Sequence, residues 1–328
     1  MSVRVLSGDD VRAALKMPGC IEAMDAVLRQ FAAGELYLPL RSVVRPPQST
    51  GFVGLMTAHR AGDAPAFGLK AVAIFPDNPS RGLDAHQGVV IVFSGEDGRV
   101  RGIVDASAVT AIRTAAVSAV ATRALAREGA TTLAVLGAGV QAAAHIESMA
   151  CVMPIERVRI YSRRPEPAQQ LAASTAERYG VDASAAASVE EALREAAVVV
   201  TATTAREPIV ERGWFAPGAH VNAVGSSIPT TRELDGATVA AARLVVDARE
   251  STLNESGDLL LAVREGTVAA DVPLVELGEV LSGSAPGRTS PDQLTVFISL
   301  GLAVEDLAAA ELALRVAAES GLGTEVPW

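Results

Sequence analysis

The chain predicts an α/β fold in which a Rossmann-type, doubly wound parallel sheet is joined to a discontinuous α+β domain. Three observations carry that expectation. Short apolar, strand-like runs alternate with helical periodicity through the middle third, the pattern of a parallel sheet covered by helices on both faces. The first of those runs ends in Gly137-Ala138-Gly139, the kind of turn that begins a dinucleotide-binding unit. A strongly amphipathic helical pattern over 304–320 follows the end of the alternation, and it is expected to pack back onto the first domain.

In chain order, the first forty residues read as a small helical unit. Residues 11–15 and 24–31 carry apolar positions at helical spacing, and Gly34 closes the second helix. Runs rich in apolar and β-branched residues follow at 51–58, 66–75 and 88–93, and the turn Gly95-Glu96-Asp97-Gly98 leads into 100–104 as a hairpin. Asp105 or Ser107 is suited to cap a long Ala/Val-rich helix from about 107 to 126, whose first sixteen residues hold one charge, Arg113. Strands are then expected at 131–136, 157–161, 198–203, 220–224 and 244–247. Helices are expected from the glycine turn to about Met149, over 166–179 and over 189–195. The resulting division is 1–118 with 302–328 for one domain and 119–301 for the dinucleotide-binding one.

Composition narrows the function. The chain has 328 residues, enough for two cores of about 150 residues each. Its net charge of −10 opposes binding to phosphodiester backbones, and no basic run suits a nucleic acid or a membrane surface. Cys20 and Cys151, the two cysteines, form neither a disulfide framework nor a metal-ligand pattern with histidine. No apolar leader opens the sequence, and the longest uncharged stretches, 129–146 and 213–231, are broken by glycine, proline and polar residues. A cytoplasmic protein acting on a small molecule is the expectation.

The turn Gly137-Ala138-Gly139-Val140-Gln141-Ala142 has the order a dinucleotide site needs. The first glycine permits the tight turn, the second lets backbone approach the pyrophosphate, and the small third position lets helix and strand pack closely. The phosphates then meet the free N–H groups of a helix N-terminus. A lone G-x-G-x-x-A also occurs as an ordinary glycine turn, and the flanking strand and helix favour the cofactor reading. The next strand ends in Ser162-Arg163-Arg164. An NAD site usually carries Asp or Glu there for the ribose hydroxyls, whereas Ser and Arg can hold a 2′-phosphate. NADP(H) is therefore expected, unless the two arginines are simply exposed loop residues.

Two charges stand in apolar surroundings. Lys70 shares a strand face with Val72 and Ile74, so it must meet an anion, reach solvent or lose its proton. An edge-strand lysine that blocks aggregation is the plainer alternative. Arg113, beside Thr110 and Thr114, calls for a carboxylate or phosphate, which a substrate or an acid of its own domain could supply. Arg41 follows Leu38-Pro39-Leu40 but has Arg45 nearby as a rival, and His86 stands alone before the strand at 88–93.

Taken together, the motifs resemble the ornithine cyclodeaminase/mu-crystallin family over essentially the whole chain. They are Pro39-Leu-Arg41, Gly68-Leu-Lys70, Asp84-Ala-His86-Gln87 and Asp105-Ala-Ser with Thr110-Ala-Ile-Arg113-Thr114. With these go Leu136-Gly-Ala-Gly-Val-Gln-Ala, Asn222-Ala-Val-Gly225 with Arg232-Glu-Leu-Asp235, Glu255-Ser-Gly-Asp258 and Phe297-Ile-Ser-Leu-Gly301. The resemblance implies a Rossmann domain, an N-terminal α+β domain that forms a homodimer, and a C-terminal helix returning to the latter. It places Arg41, Lys70 and Arg113 at substrate positions. Thr114, the glycine loop and Ser299 fall at cofactor positions, and His86, Thr203, Val224 and Ser226 complete the expected cofactor contacts. A side-chain pocket is expected near Met56, Phe75 and Ile228.

Such proteins include cyclodeaminases, alanine and arginine dehydrogenases, and ketimine reductases. In the cyclodeaminases and the related alanine dehydrogenases, a catalytic Asp precedes a proline, and here Gly225-Ser226-Ser227-Ile228-Pro229 puts Ser227 in its place. A serine cannot act as that carboxylate base. The implied activity is NADPH-dependent reduction of a small carboxylated cyclic ketimine to the L-amino acid. An NADP-dependent amino-acid dehydrogenase is the alternative, followed by ornithine cyclodeamination and a non-enzymatic NADPH-binding role.

Overall fold

The computed structural model describes residues 2–328. In chain order the first part runs β1 (Ser2–Leu6), α1 (Gly8–Ala14), α2 (Met17–Ala32), β2 (Leu36–Tyr37), β3 (Ser42–Val44), β4 (Phe52–Arg60), β5 (Ala66–Ile74), β6 (His86–Ser94), β7 (Val100–Asp105) and α3 (Ala106–Leu125). The middle continues with β8 (Thr132–Leu136), α4 (Val140–Val152), β9 (Arg157–Tyr161), α5 (Pro165–Tyr179), β10 (Asp182–Ala185), α6 (Val189–Leu193), β11 (Val198–Thr201) and β12 (His220–Ala223). It closes with α7 (Gly236–Ala241), β13 (Arg243–Val246), α8 (Arg249–Glu255), α9 (Gly257–Arg264), β14 (Val275–Glu276), α10 (Leu277–Ser282) and β15 (Thr295–Ile298). The chain ends with α11 (Ala303–Ser320) and β16 (Thr324–Pro327).

These elements form two compact units. One runs to Arg113 and resumes at Leu302–Trp328, and the other is Thr114–Gly301. The first crossing lies inside α3, between Arg113 and Thr114, rather than after residue 118.

The first unit is built on a sheet of order β16-β1-β7-β6-β5-β4-β2, with β3 also on β4. Only β1–β7 is parallel, and the β6–β7 hairpin carries the turn at 95–98. The opening is not purely helical, because Ser2–Leu6 forms a strand between β7 and β16. Its partners lie about a hundred and more than three hundred residues away, so no local signal announces it. One face of the sheet carries Met56, Ala58, Ala66, Gly68, Lys70 and Val90, all in register across β4, β5 and β6, and α11 lies on it. Glycine makes that seat possible. A Cβ at Gly68 would come 3.0 Å from Leu307, and one at Gly102 would come 2.4 Å from Leu314. The opposite face shows Val53, Leu55, Phe67, Leu69, Val89, Ile91 and Phe93, none of them buried.

The second unit holds an all-parallel sheet of order β10-β9-β8-β11-β12-β15-β13-β14. The order reverses direction between β8 and β11, the switch point at which such sheets bind ligands. Three strands were not expected. β10 is built of Asp182-Ala-Ser-Ala185, poor strand formers held by pairing with β9. β14 has two residues, and β15 inserts between β12 and β13, out of sequence order.

α3 is long and apolar enough to cross a membrane by length and composition, yet 72% of the relevant window is buried within the chain. A helix apolar on all sides is one that is packed on all sides. Its hydroxyls at 110, 114, 118 and 122 fall four residues apart, which places them in one stripe.

Candidate active site

In the second unit the site begins at the switch point. β8 ends at Leu136, and the Gly137 N–H donates to the Tyr161 carbonyl at 2.8 Å, drawing the loop against the end of β9. Gly137 has φ +123°, and a Cβ there would lie 2.5 Å from the Ala202 carbonyl oxygen. Gly139 caps α4 from an extended conformation, and a Cβ there would meet nothing within 4 Å. One glycine is thus required by the fold, and the other keeps open the space in front of a helix N-terminus. That first turn holds no acidic residue, and Val140 is 67% exposed. Backbone N–H groups, positive dipole end and open space together fit a dinucleotide pyrophosphate.

α4 is held from behind. The His145 imidazole bridges the Gln141 carbonyl through Nδ1 at 2.7 Å and the Ser118 hydroxyl through Nε2 at 3.0 Å. Burial lowers its pKa to about 4, against the opposing pull of the Gln141 carbonyl. The ring is therefore neutral, with Nδ1–H donating and Nε2 accepting. Thr122, one turn beyond Ser118, accepts from Asn222 Nδ2 at 2.9 Å. The hydroxyl stripe of α3 thus fixes both the phosphate helix and β12.

The remaining expected cofactor residues divide by what their side chains already do. Ser162 is half-buried, Arg163 and Arg164 are exposed, and Arg164 is the N-cap residue of α5 without a side-chain capping bond. Ser299 follows β15. It is 3% exposed, and its Oγ has no hydrogen-bond partner, an orphan of the kind a bound ligand satisfies. Val224 is half-buried, and its N–H continues the β11–β12 ladder to Thr201. The Thr203 hydroxyl gives its proton to Glu233 at 2.6 Å and accepts from the Ala205 N–H. The Ser226 hydroxyl gives its own to the Thr231 carbonyl. Both hydroxyl protons are thus already given to protein acceptors. Thr114 is buried and opens the second unit. His86 belongs to the other unit, begins β6 rather than preceding it, and has its Nδ1 3.9 Å from Asp84.

Sequence reasoning missed the acids that organise the carboxyl edge of this sheet. Glu233 is fully buried and accepts from Thr201 Oγ1, Thr203 N and Oγ1, and Gly225 N, all between 2.6 and 2.8 Å. It joins the ends of β11 and β12. Asp258 accepts from the Glu233 and Leu234 N–H groups at 2.8 and 2.9 Å. Burial, then the neighbouring Glu233 charge, push its pKa up to about 7. Both acids lie in the motifs Arg232-Glu-Leu-Asp235 and Glu255-Ser-Gly-Asp258, among other charged and polar residues that hide their burial. Ser227, at the position of the expected Asp, is half-buried and brings no carboxylate to the loop after β12.

In the first unit, Lys70 and Arg113 meet. β5 is an interior strand, so an edge-strand lysine is ruled out. Lys70 Nζ lies 2.6 Å from Asp306 Oδ2, and Arg113 Nε lies 2.9 Å from Asp306 Oδ1. Arg113 Nη1 lies 2.8 Å from Glu305 Oε2, which also accepts the Leu302 N–H at 3.1 Å. All four side chains are at most 5% exposed. Arg113 Nε and Nη1 are therefore each paired with an acid of its own unit, one of the two kinds of partner the sequence leaves open for this arginine. Burial lowers the Lys70 pKa to about 8, with Asp306 opposing the shift and the Arg113 and Arg41 charges adding to it. Arg41, in the β2–β3 connection, is half-buried. Met56 stands opposite Lys70 in the register and is buried, whereas Phe75 and Ile228 are 38% and 40% exposed.

The family model for the ornithine cyclodeaminase/mu-crystallin family matches residues 1–320. The chain belongs to that family. It is 40% identical over 311 residues to the ketimine reductase mu-crystallin of Rattus norvegicus, covering 94% of this chain and 95% of that protein. It is 35% identical over 325 residues to the Delta(1)-pyrroline-2-carboxylate reductase of Bacillus cereus, covering 99% of each. The structure of the Thermococcus litoralis Delta(1)-pyrroline-2-carboxylate reductase, in complex with NADH and L-proline, superposes with a TM-score of 0.95 at 33% identity, covering 99% of this chain and 100% of that one.

The two loop glycines separate binding from folding. Gly139→Ala should leave the melting temperature within about 2 °C while weakening dinucleotide binding at least about tenfold. Gly137→Ala should cost ~1–3 kcal/mol of stability. Thermal unfolding and cofactor fluorescence titration read both. Wild-type affinity in the Gly139 variant would contradict a pyrophosphate in front of α4.

Proposed function

We propose that this member of the family reduces a small cyclic ketimine bearing one carboxylate, of the pyrroline- or piperideine-2-carboxylate type, to the L-amino acid, with NADPH as reductant. It is an oxidoreductase of C=N bonds. The observation that carries the substrate side is Lys70. Its side chain is 5% exposed, and its ammonium carries three N–H donors, with the Asp306 carboxylate as its ion-pair partner. A buried ammonium with donors to spare is costly unless a ligand completes it.

The cofactor, when bound, supplies the hydride. The protein's task is position and charge. Arg41 binds the substrate carboxylate. Arg113, whose position two acids fix, stands beside Lys70 and assists Arg41 at the carboxylate. Lys70 passes a proton to the imine nitrogen as the carbon is reduced, leaving a C–H and an N–H bond where the C=N double bond was. A proton donor with a pKa near the working pH is suited to that transfer. Ser227 gives the loop after β12 no carboxylate base, which favours reduction over cyclodeamination.

Reduction requires the charged form of Lys70, whose pKa is about 8. The kcat/KM for ketimine reduction should therefore be level below pH 8 and fall about tenfold per pH unit above it. Lys70→Ala should lose at least about 100-fold. The assay is NADPH absorbance with a panel of cyclic ketimines and open-chain amino acids. Reduction of NADP by an amino acid alone would favour a dehydrogenase, and ammonia from ornithine without net cofactor change would mean cyclodeamination.

The preference for NADPH rests on the end of β9, where Arg163 and Arg164 are exposed and no acid stands. The Thermococcus protein holds NADH, so the choice of reductant is a matter for this strand end. Arg163→Ala/Arg164→Ala should raise the KM for NADPH about tenfold or more and leave that for NADH nearly unchanged. Equal effects on both would mean that the arginines do not read the 2′-phosphate.

A second copy of the chain is proposed as the partner of the uncovered sheet face. Phe67 is 47% and Val53 36% exposed there, beside half-buried Leu69, Ile91 and Phe93, a largely apolar surface suited to a self-complementary dimer. Light scattering should give twice the chain mass of 33.7 kDa, and Phe67→Glu should halve it. A monomeric wild type would refute this.

A further inference from the structure

We propose that Asp306 is the positioning residue of the reduction, holding the Lys70 ammonium in place and keeping it charged. This rests on the role given above to Lys70. Three features of the geometry single out Asp306. It is the carboxylate that touches both cations, Lys70 at 2.6 Å and Arg113 at 2.9 Å. It is 1% exposed, so water cannot replace it. It stands in the first turn of α11, whose approach to β5 depends on the missing side chain at Gly68.

The groups around Lys70 make the point electrostatic. Arg113 on α3 and Arg41 in the β2–β3 connection are cations that oppose its charge. His86 on β6 is close enough to sense Lys70. The neighbours opposite it in the register, Met56 on β4 and Val90 on β6, are apolar. Burial and cations therefore push Lys70 toward the neutral amine, and Asp306 of α11 opposes them. Glu305 acts one step further out, on Arg113 and on the Leu302 N–H. A neutral Lys70 can accept a proton but has no acidic one to give. Asp306 thus determines which way the proton moves at the working pH. In the forward step Lys70 gives one proton to nitrogen as hydride reaches carbon, becomes a neutral amine, and is recharged from solvent.

The test is the pH dependence of ketimine reduction by Asp306→Asn. Its alkaline limb should move at least about one pH unit below that of the wild type, with kcat/KM at the low-pH plateau recovering to within about tenfold. A folded Asp306→Asn enzyme whose limb stays at the wild-type position overturns the proposal. If that variant does not fold, Asp306→Glu takes its place. The charge is kept but displaced, so the limb should stay within a few tenths of a unit while kcat falls. A limb that shifts in the Glu variant also overturns it.

A readout without turnover separates this claim from the proposed activity. Carbamylation of Lys70 by cyanate, followed by peptide mass spectrometry across pH, should have a lower midpoint in Asp306→Asn than in the wild type. Equal midpoints overturn the role of Asp306 whether or not ketimines are reduced. Shifted midpoints with no ketimine turnover support that role and reject the activity.

Discussion

The Asp306 carboxylate is the contact on which the first unit depends. It joins Lys70 of β5 to Arg113 of α3, and it arrives on a helix more than 190 residues further along the chain. Removing one partner of a buried ion pair leaves an uncompensated charge and costs ~3–5 kcal/mol, whereas the intact pair adds little net stability over apolar packing. Four charges at this depth are thus a poor way to hold a helix on a sheet. Their presence in an otherwise apolar core points to chemistry as the reason for the cluster. The fold accommodates it through Gly68 and Gly102, which let α11 sit low enough for a short Asp side chain to reach the sheet.

The second unit solves a different problem with neutral groups. A phosphate site needs backbone N–H groups held rigidly, with no nearby anion to compete. α4 meets this requirement by being fastened from behind, through a neutral His145 and a serine of α3. Its open end keeps Gly139 and a first turn free of acid. Acids do appear at the carboxyl edge of the same sheet, but each is consumed by backbone and hydroxyl donors. Glu233 accepts four such bonds. Asp247 accepts the Leu300 and Gly301 N–H groups, both at 2.7 Å, just before the chain leaves the unit. Their negative charge is spent on shaping loops.

The parts legible in the sequence were those with a local signature. The strands of the glycine-loop region, the 95–98 hairpin and the helices over 107–126 and 304–320 are periodic and bounded by turn residues, and they appear within a residue or two. The short strands β1, β10, β14 and β15 were not legible, because they are strands by virtue of distant partners. The same distinction runs through the site. Lys70 and Arg113 stood out as charges in apolar runs. Asp306 and Glu305 did not, because Val304-Glu305-Asp306-Leu307 looks like the ordinary acidic first turn of an amphipathic helix. Only the depth to which α11 is buried turns those two acids from surface residues into partners.

That asymmetry bears on how the cations should be understood. An arginine isolated in an apolar helix is read as waiting for a ligand, because its counter-charge is invisible in the sequence. In the folded unit, the counter-charge for Arg113 is already in place on two sides, at Nε and at Nη1. Lys70 differs, since one carboxylate oxygen faces an ammonium with three donors. In the proposed reduction, the lysine, lowered toward neutrality by burial and held back by Asp306, is the group whose state a substrate would change. The arginine, whose charge is fixed at any accessible pH, is the group that makes such a change directional. In that proposed step, a fixed cation beside a titratable one would favour loss of the lysine proton to an imine nitrogen, while the shared Asp306 carboxylate opposes that loss beforehand.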